Sequence, residues 1–215
     1  MSIPTCVIAG AGPGLSLAVA ERYAREGFTV YALSRTAARL SDPASRLRSR
    51  GFNVAVIECE PRNVHSLEAA IHTIETHGES CDVLVYNALV DDLPTPSSFG
   101  RPTVSYDRYA ELADVVTLIR RRVNAMRGRQ GGALVFATYD SAESETKTLR
   151  EFVDALADEV EPAGIRVGIV IIDGVLPTSA AELAAVADVY WDVFFCAEHR
   201  HRRERRVRTR PPFRT

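Results

Sequence analysis

The sequence predicts an α/β fold: a doubly wound, mostly parallel sheet of about seven strands with helices on both faces. Three observations predict it. Apolar runs of strand length alternate with helix-period segments from one end of the chain to the other. The strand runs are apolar on successive positions, as strands covered on both faces must be. The first run leads directly into a glycine-rich turn and a helix, which is the order that opens a βαβ series.

Taken in order, strands are expected near 5–9, 28–33, 52–58, 82–86, 132–138 and 165–172, and a short basic strand near 204–209 closes the chain. Helices are expected near 14–26, 36–50, 64–78, 105–127, 145–161 and 179–196. The first carries Leu15, Val19, Ala20 and Tyr23 three and four apart, so one face is apolar. The fourth repeats the pattern with Leu112, Val115, Val116, Ile119 and Val123, the fifth with Phe152, Val153, Leu156 and Val160. Segment 88–104 is rich in Pro, Gly and Ser and reads as a surface loop. It follows the fourth strand, which places it at the carboxyl edge of the sheet, near the switch point where ligands bind in open α/β folds.

A chain of 215 residues with 46% hydrophobic and 25% charged composition is enough for one globular domain over 1–215. Cys6, Cys59, Cys81 and Cys196 form no CxxC pair and no metal spacing, and read as reduced thiols. The five histidines offer no metal-ligand constellation. No signal peptide or spanning segment is expected, which points to a cytoplasmic protein. The net charge of −2 is unevenly spread, because residues 199–215 carry eight Arg against one Glu. The body is therefore acidic and the segment 198–215 basic.

The first strand, Thr5-Cys6-Val7-Ile8-Ala9, runs into Gly10-Ala11-Gly12-Pro13-Gly14-Leu15. Glycines permit a tight turn and close backbone approach, and the new helix offers unpaired N–H groups to phosphate. This is the signature of a Rossmann-type dinucleotide-binding fold. The second strand ends in Ser34-Arg35 and lacks the acid expected where a ribose 2′-hydroxyl is read. Arg35 can pair with a 2′-phosphate and Ser34 can hydrogen-bond to it, so NADP(H) is favoured over NAD(H).

With these residues in place the chain resembles the short-chain dehydrogenase/reductase family, over almost its whole length. Gly10 and Gly14 match that family's GxxxGxG spacing, with Ser16 in place of the last glycine. Cys59-Glu60 looks like its acidic segment after strand three, whose acid contacts adenine, and Tyr86-Asn87-Ala88 resembles its Asn-Ala-Gly motif. Asp173-Gly174 stands where the family has Pro-Gly, ahead of Thr178. The Gly-Pro-Gly-Leu turn and the late Tyr190-Trp191 are similar to a bacterial subgroup labelled glucose/ribitol-type. The resemblance implies cofactor contacts from Gly10, Gly12, Pro13, Gly14, Leu15, Ser34, Arg35, Glu60, Asn87, Ala88, Asp173, Gly174 and Thr178. It also implies a homodimer or tetramer assembled through helices 105–127 and 145–161.

The family's chemistry uses a Ser, a Tyr and a Lys four residues after the Tyr. No YxxxK occurs here; counting back from Gly164 puts Ala142 at the Tyr position and Thr146 at the Lys position. Thr138 stands where the Ser belongs, and Tyr139 with Lys147 is the candidate replacement pair. Lys147 lies one residue past the required position, about 100° around a helix, which favours a surface ion pair with Glu143. Tyr106, Tyr109, Asp91 and Asp92 border the long loop; the tyrosines read as packing anchors. The Arg-rich tail lacks interleaved aromatics and reads as a solvent-facing or subunit-contacting segment rather than a nucleic-acid patch. Three functions remain: an atypical NADP(H)-dependent oxidoreductase acting on a small carbonyl or alcohol; a catalytically silent or non-redox relative that senses cofactor, binds a partner or works as an isomerase or lyase; or a fold that has lost cofactor affinity and uses the crevice for another ligand, as Ser16 and Glu60 allow.

Overall fold

The computed structural model describes residues 3–61, 63–77, 79–87, 107–129, 131–139, 143–174, 178–195 and 203–209, without the side chains of 107–117, 143–145 and 148. The elements run β1 (Thr5–Ala9), α1 (Leu15–Arg25), β2 (Thr29–Ser34), α2 (Ala38–Ser49), β3 (Val54–Glu58), α3 (Val64–Thr76), β4 (Val83–Tyr86) and α4 (Asp107–Gly128). They continue with β5 (Gly132–Tyr139), α5 (Glu143–Val160), a 3-10 turn (Glu161–Ala163), β6 (Ile165–Asp173), α6 (Ala180–Phe195) and β7 (Glu204–Arg208). The seven strands form one sheet in the order β3-β2-β1-β4-β5-β6-β7, and every pairing is parallel. The fold class predicted from the sequence is the one observed.

Alternate residues of β1 feed opposite cores, which explains why its sequence is apolar throughout. Cys6 and Ile8 pack on the side covered by α1, α2 and α6, with Tyr23, Leu40, Tyr190 and Trp191. Val7 and Ala9 pack on the side covered by α3, α4 and α5, with Ile71, Ile119, Phe136 and Val153. One boundary differs instructively. The apolar Phe52 was expected in the third strand, but its N–H donates to the Leu47 carbonyl, following Gly51 at φ +86. Phe52 therefore closes the α2 C-terminus, and β3 begins two residues later.

The basic tail is folded into the sheet edge. β7 pairs with β6, and Arg203 just ahead of it binds Glu161 through Nε and Nη2 and Asp158 through Nη2 at 2.7 Å. Its Nη1 also lies 3.7 Å from Asp154. The Glu161 hydrogen bond, the largest influence, pushes the Arg203 guanidinium above its ordinary value against the opposing effect of burial. Arg150 of α5 makes a bidentate pair with Glu204. The charge imbalance between body and tail is thus used within the molecule: acidic α5 meets basic tail. Replacing Arg203 by alanine should lower the thermal midpoint by a few degrees, about 1 kcal/mol for a partly exposed network. An unchanged midpoint in a melt at low salt would show the network contributes nothing.

Candidate functional site

The strand order reverses between β1 and β4, so the crevice at their carboxyl ends is the switch point. Their register pairs Ala9 with Tyr86, which sets Gly10 and Asn87 side by side just beyond the ladder. Asn87 N–H donates to the Ala9 carbonyl at 2.8 Å. On the other side, Gly10 and Ala11 both donate to the Leu33 carbonyl, closing the turn onto β2. Gly10 has φ 83, in the left-handed region where a Cβ is disfavoured.

Gly14 is the N-cap of α1; its carbonyl accepts from Leu17 and Ala18 at 3.2 Å, and no side chain caps the helix. The amides of Leu15 and Ser16 therefore have no carbonyl inside the helix, and no acid lies in the first turn. A Cβ placed on Gly12 or Gly14 would meet nothing within 4 Å. Pro13 and Gly14 are exposed while Leu15 is buried beneath them. An open, uncapped, acid-free helix start fits an anionic group such as a pyrophosphate.

The ends of β2 and β3 adjoin this turn. Ser34 is buried and its hydroxyl accepts from Thr36 N–H, while the Ser34 carbonyl accepts from Cys59 N–H. Arg35 is exposed and has no ion-pair partner among the described residues. Glu60 is half-buried, its N–H donating to the Ser66 hydroxyl at 3.0 Å. At the end of β6, the Asp173 carbonyl accepts from Thr209 N–H and hydroxyl, and its carboxylate lies 4.0 Å from Arg206 and 3.9 Å from Arg208. Gly174 has φ 111, and Thr178 is exposed just ahead of α6, whose start is capped by Ser179. Ala88, the loop to 106 and Ala142 lie outside the described residues.

A buried chain of hydrogen bonds under the turn was not predicted. Ser16 Oγ donates to the Gly10 carbonyl at 3.4 Å, Asn87 Nδ2 donates to Ser16 Oγ at 3.2 Å, and Tyr190 donates to Asn87 Oδ1 at 3.2 Å. Ser16, Asn87 and Tyr190 are all buried. The available signal was a polar Ser16 beside the apolar stripe of the first helix, together with the late Tyr190.

The candidate catalytic residues lie at the end of β5 and in the first turns of α5. Thr138 is buried with its hydroxyl donating to the Tyr139 carbonyl at 3.3 Å, and Tyr139 is half-buried beside the α1–α6 core. Thr146, at the family's Lys position, is 1% exposed and donates to the same carbonyl at 3.4 Å. The Lys147 side chain is 73% exposed, with Nζ 3.9 Å from Glu151. The one-residue offset therefore turns Lys147 to solvent, and its partner is Glu151 in the next turn; the Glu143 side chain is outside the description. Among the described residues, no group of three or more His, Cys, Asp or Glu is placed to hold a metal ion. No described helix is long and apolar enough to cross a membrane.

Fold and turn together define an α/β protein with the architecture of dinucleotide-binding folds. The short chain dehydrogenase profile matches residues 4–185, and the chain belongs to that family, which binds nicotinamide cofactors. A ketoacyl reductase of Nostoc sp. is 23% identical over 176 residues, covering 77% of this chain; the match spans only 61% of that relative's length. A short-chain dehydrogenase from Rhodopseudomonas palustris superposes with TM-score 0.79 at 22% identity, over 96% of this chain and 99% of that one. A gluconate 5-dehydrogenase from Burkholderia cenocepacia, solved with NADP and tartrate, has TM-score 0.75 at 16% identity, over 97% and 94%. At these identities the structural likeness speaks for the fold.

Proposed function

We propose that this protein binds NADP(H) in preference to NAD(H) and is an atypical oxidoreductase acting on a small carbonyl or alcohol. The observation that carries the reading is the open, uncapped glycine turn beside an exposed Arg35 without an ion-pair partner among the described residues. In this reading Gly12, Pro13, Gly14 and the Leu15 amide hold the pyrophosphate, and Ser34 with Arg35 holds the 2′-phosphate. Glu60 lies toward the adenine, while Asn87, Ala88, Asp173, Gly174 and Thr178 border the rest of the crevice. The nicotinamide, when bound, supplies or accepts a hydride. Thr138 orients the substrate oxygen and Tyr139 exchanges a proton with it, without the help of Lys147, which faces solvent. The whole of 1–215 acts as one cytoplasmic unit. A homo-oligomer through α4 and α5 would bring together outer faces on which Glu151, Asp154, Asp158 and Glu159 are exposed.

A second reading, a silent or non-redox relative, is favoured by one observation: the family's Lys position holds a buried threonine whose hydroxyl donates to the Tyr139 carbonyl. Mixing protein and NADPH with a panel of aldehydes, ketones and quinones separates the two. Cofactor oxidation supports the first; binding without oxidation supports the second. The cofactor preference has its own test. Arg35→Asp should reverse it in calorimetric titration, by about tenfold or more, since a charge-assisted hydrogen bond is replaced by repulsion. Unchanged NADP(H) affinity would overturn the assignment of Arg35.

A further inference from the structure

We infer that Tyr190, far along the chain on α6, is a positioning residue of the nucleotide turn, acting through Asn87 and Ser16 on the Gly10 carbonyl. The inference rests on the dinucleotide reading given above. Its physical basis is the direction of the relay. The Gly10 carbonyl can only accept, so Ser16 must spend its one hydroxyl proton there. The partner on the far side of Ser16 must then be a donor, which orients the Asn87 amide with Nδ2 toward Ser16. That leaves Asn87 Oδ1 facing Tyr190, whose hydroxyl must donate. Each of the three hydrogen bonds has one possible direction, and the order is set from the carbonyl backwards.

Tyr190 is a firm anchor for such a relay. It is fully buried, and its own carbonyl accepts from the Tyr23 hydroxyl at 3.4 Å. The next residue, Trp191, packs edge to face on Tyr23 with ring centroids 5.2 Å apart. α6 is thereby locked against α1, the helix whose amino end forms the mouth of the turn. Asn87 is fixed independently by its N–H on Ala9. The relay thus ties the ends of β1 and β4 and the first turn of α1 to a single hydroxyl.

The consequence for binding is electrostatic. A carbonyl oxygen at the mouth of an anion site repels the anion, whereas amides attract it. Tying the Gly10 carbonyl to Ser16 directs that oxygen to a buried donor and leaves the amide side of the turn for the ligand. Where the family has a glycine at position 16, no such hydroxyl exists; here Ser16 makes the turn depend on α6.

The test compares Tyr190→Phe, Ser16→Gly and the double variant, each titrated with NADPH and melted. Phenylalanine keeps the ring that fills the core. Tyr190→Phe should raise the NADPH Kd about threefold to tenfold, the size of one lost hydrogen bond. Ser16→Gly should weaken binding comparably, and the double variant should be no weaker than the weaker single one, because both cut the same relay. If Tyr190→Phe does not fold, Ser16→Ala cuts the relay from the other end and should reproduce the Kd change. A lower melting point with unchanged Kd in these variants means that Tyr190 only packs, and overturns the inference. So do effects that multiply in the double variant. Failure of the wild type to bind either NADP(H) or NAD(H) overturns the dinucleotide reading itself, and this inference with it; wild-type binding with an unmoved Tyr190→Phe Kd overturns this inference alone.

Discussion

Valine in place of Gly12 should abolish dinucleotide binding while leaving the protein folded. Gly12 is half-buried, its φ lies outside the left-handed region, and a Cβ there has no neighbour within 4 Å. The folded chain can therefore accept a side chain, and the stability change should stay within about 0.5 kcal/mol. In the proposed reading that same empty space is where the pyrophosphate approaches the backbone, and two methyl groups would fill it. A Kd raised by roughly a hundredfold or more is expected, since the ligand would lose its phosphate contacts together. Gly27→Val supplies the opposite dissociation. Gly27 has φ +86 beyond the far end of α1, so valine there costs on the order of 1–2 kcal/mol of backbone energy without touching the turn. Titration and melting of the two variants should give crossed results: binding lost without stability, and stability lost without binding. Retained NADPH affinity in Gly12→Val would remove the turn from the site.

What the sequence made legible were features carried by neighbours in the chain. Thr5 to Leu15 spell strand, turn and helix within eleven residues, and the structure places them so. The register of the fifth helix was also readable. Spacing back from Gly164 distinguished Thr146 from Lys147, and the structure buries the first and exposes the second. Local hydrogen bonding defeated the reading of Phe52, because an apolar residue serves a helix end as well as a strand. The relay was illegible for a different reason. Asn87 and Ser16 are 71 residues apart and Tyr190 and Asn87 are 103 apart, so no pattern of adjacent residues announces their contact. The tail shows both cases. Its charge was plain, but that Arg203 would meet Asp158 and Glu161 depended on β7 lying beside β6.

The fold beneath the turn should also fail at alkaline pH, and steeply. Burial pushes the Cys6 thiol well above its ordinary 9.0, with the neighbouring Cys81 adding to the effect. Cys81 is itself raised by burial to about 12, and burial holds Tyr23 well above the ordinary 10.0, with Cys6 reinforcing it. All three groups keep their protons in the native state and release them near ordinary values once unfolded. Above about pH 9 the native protein therefore binds more protons than the unfolded chain, and its stability falls as pH rises. Below the unfolded values their contribution is fully present. For Cys81 the loss continues up to about pH 12, where the native thiol titrates. Each group costs at most about 1.4 kcal/mol per pH unit across its window, so the losses add as the pH rises above about 9. Urea unfolding from pH 8 to 11 should show the midpoint collapsing, with a shallower slope in Cys6→Ala and Cys81→Ala. A flat profile would show that these groups titrate alike in both states. Cys6 and Tyr23 pack in the core that carries Leu15 and α1, so the nucleotide turn is lost with that core. Saturating NADPH should raise stability at each pH by an amount set by its concentration and Kd, and so postpone the collapse without changing its slope.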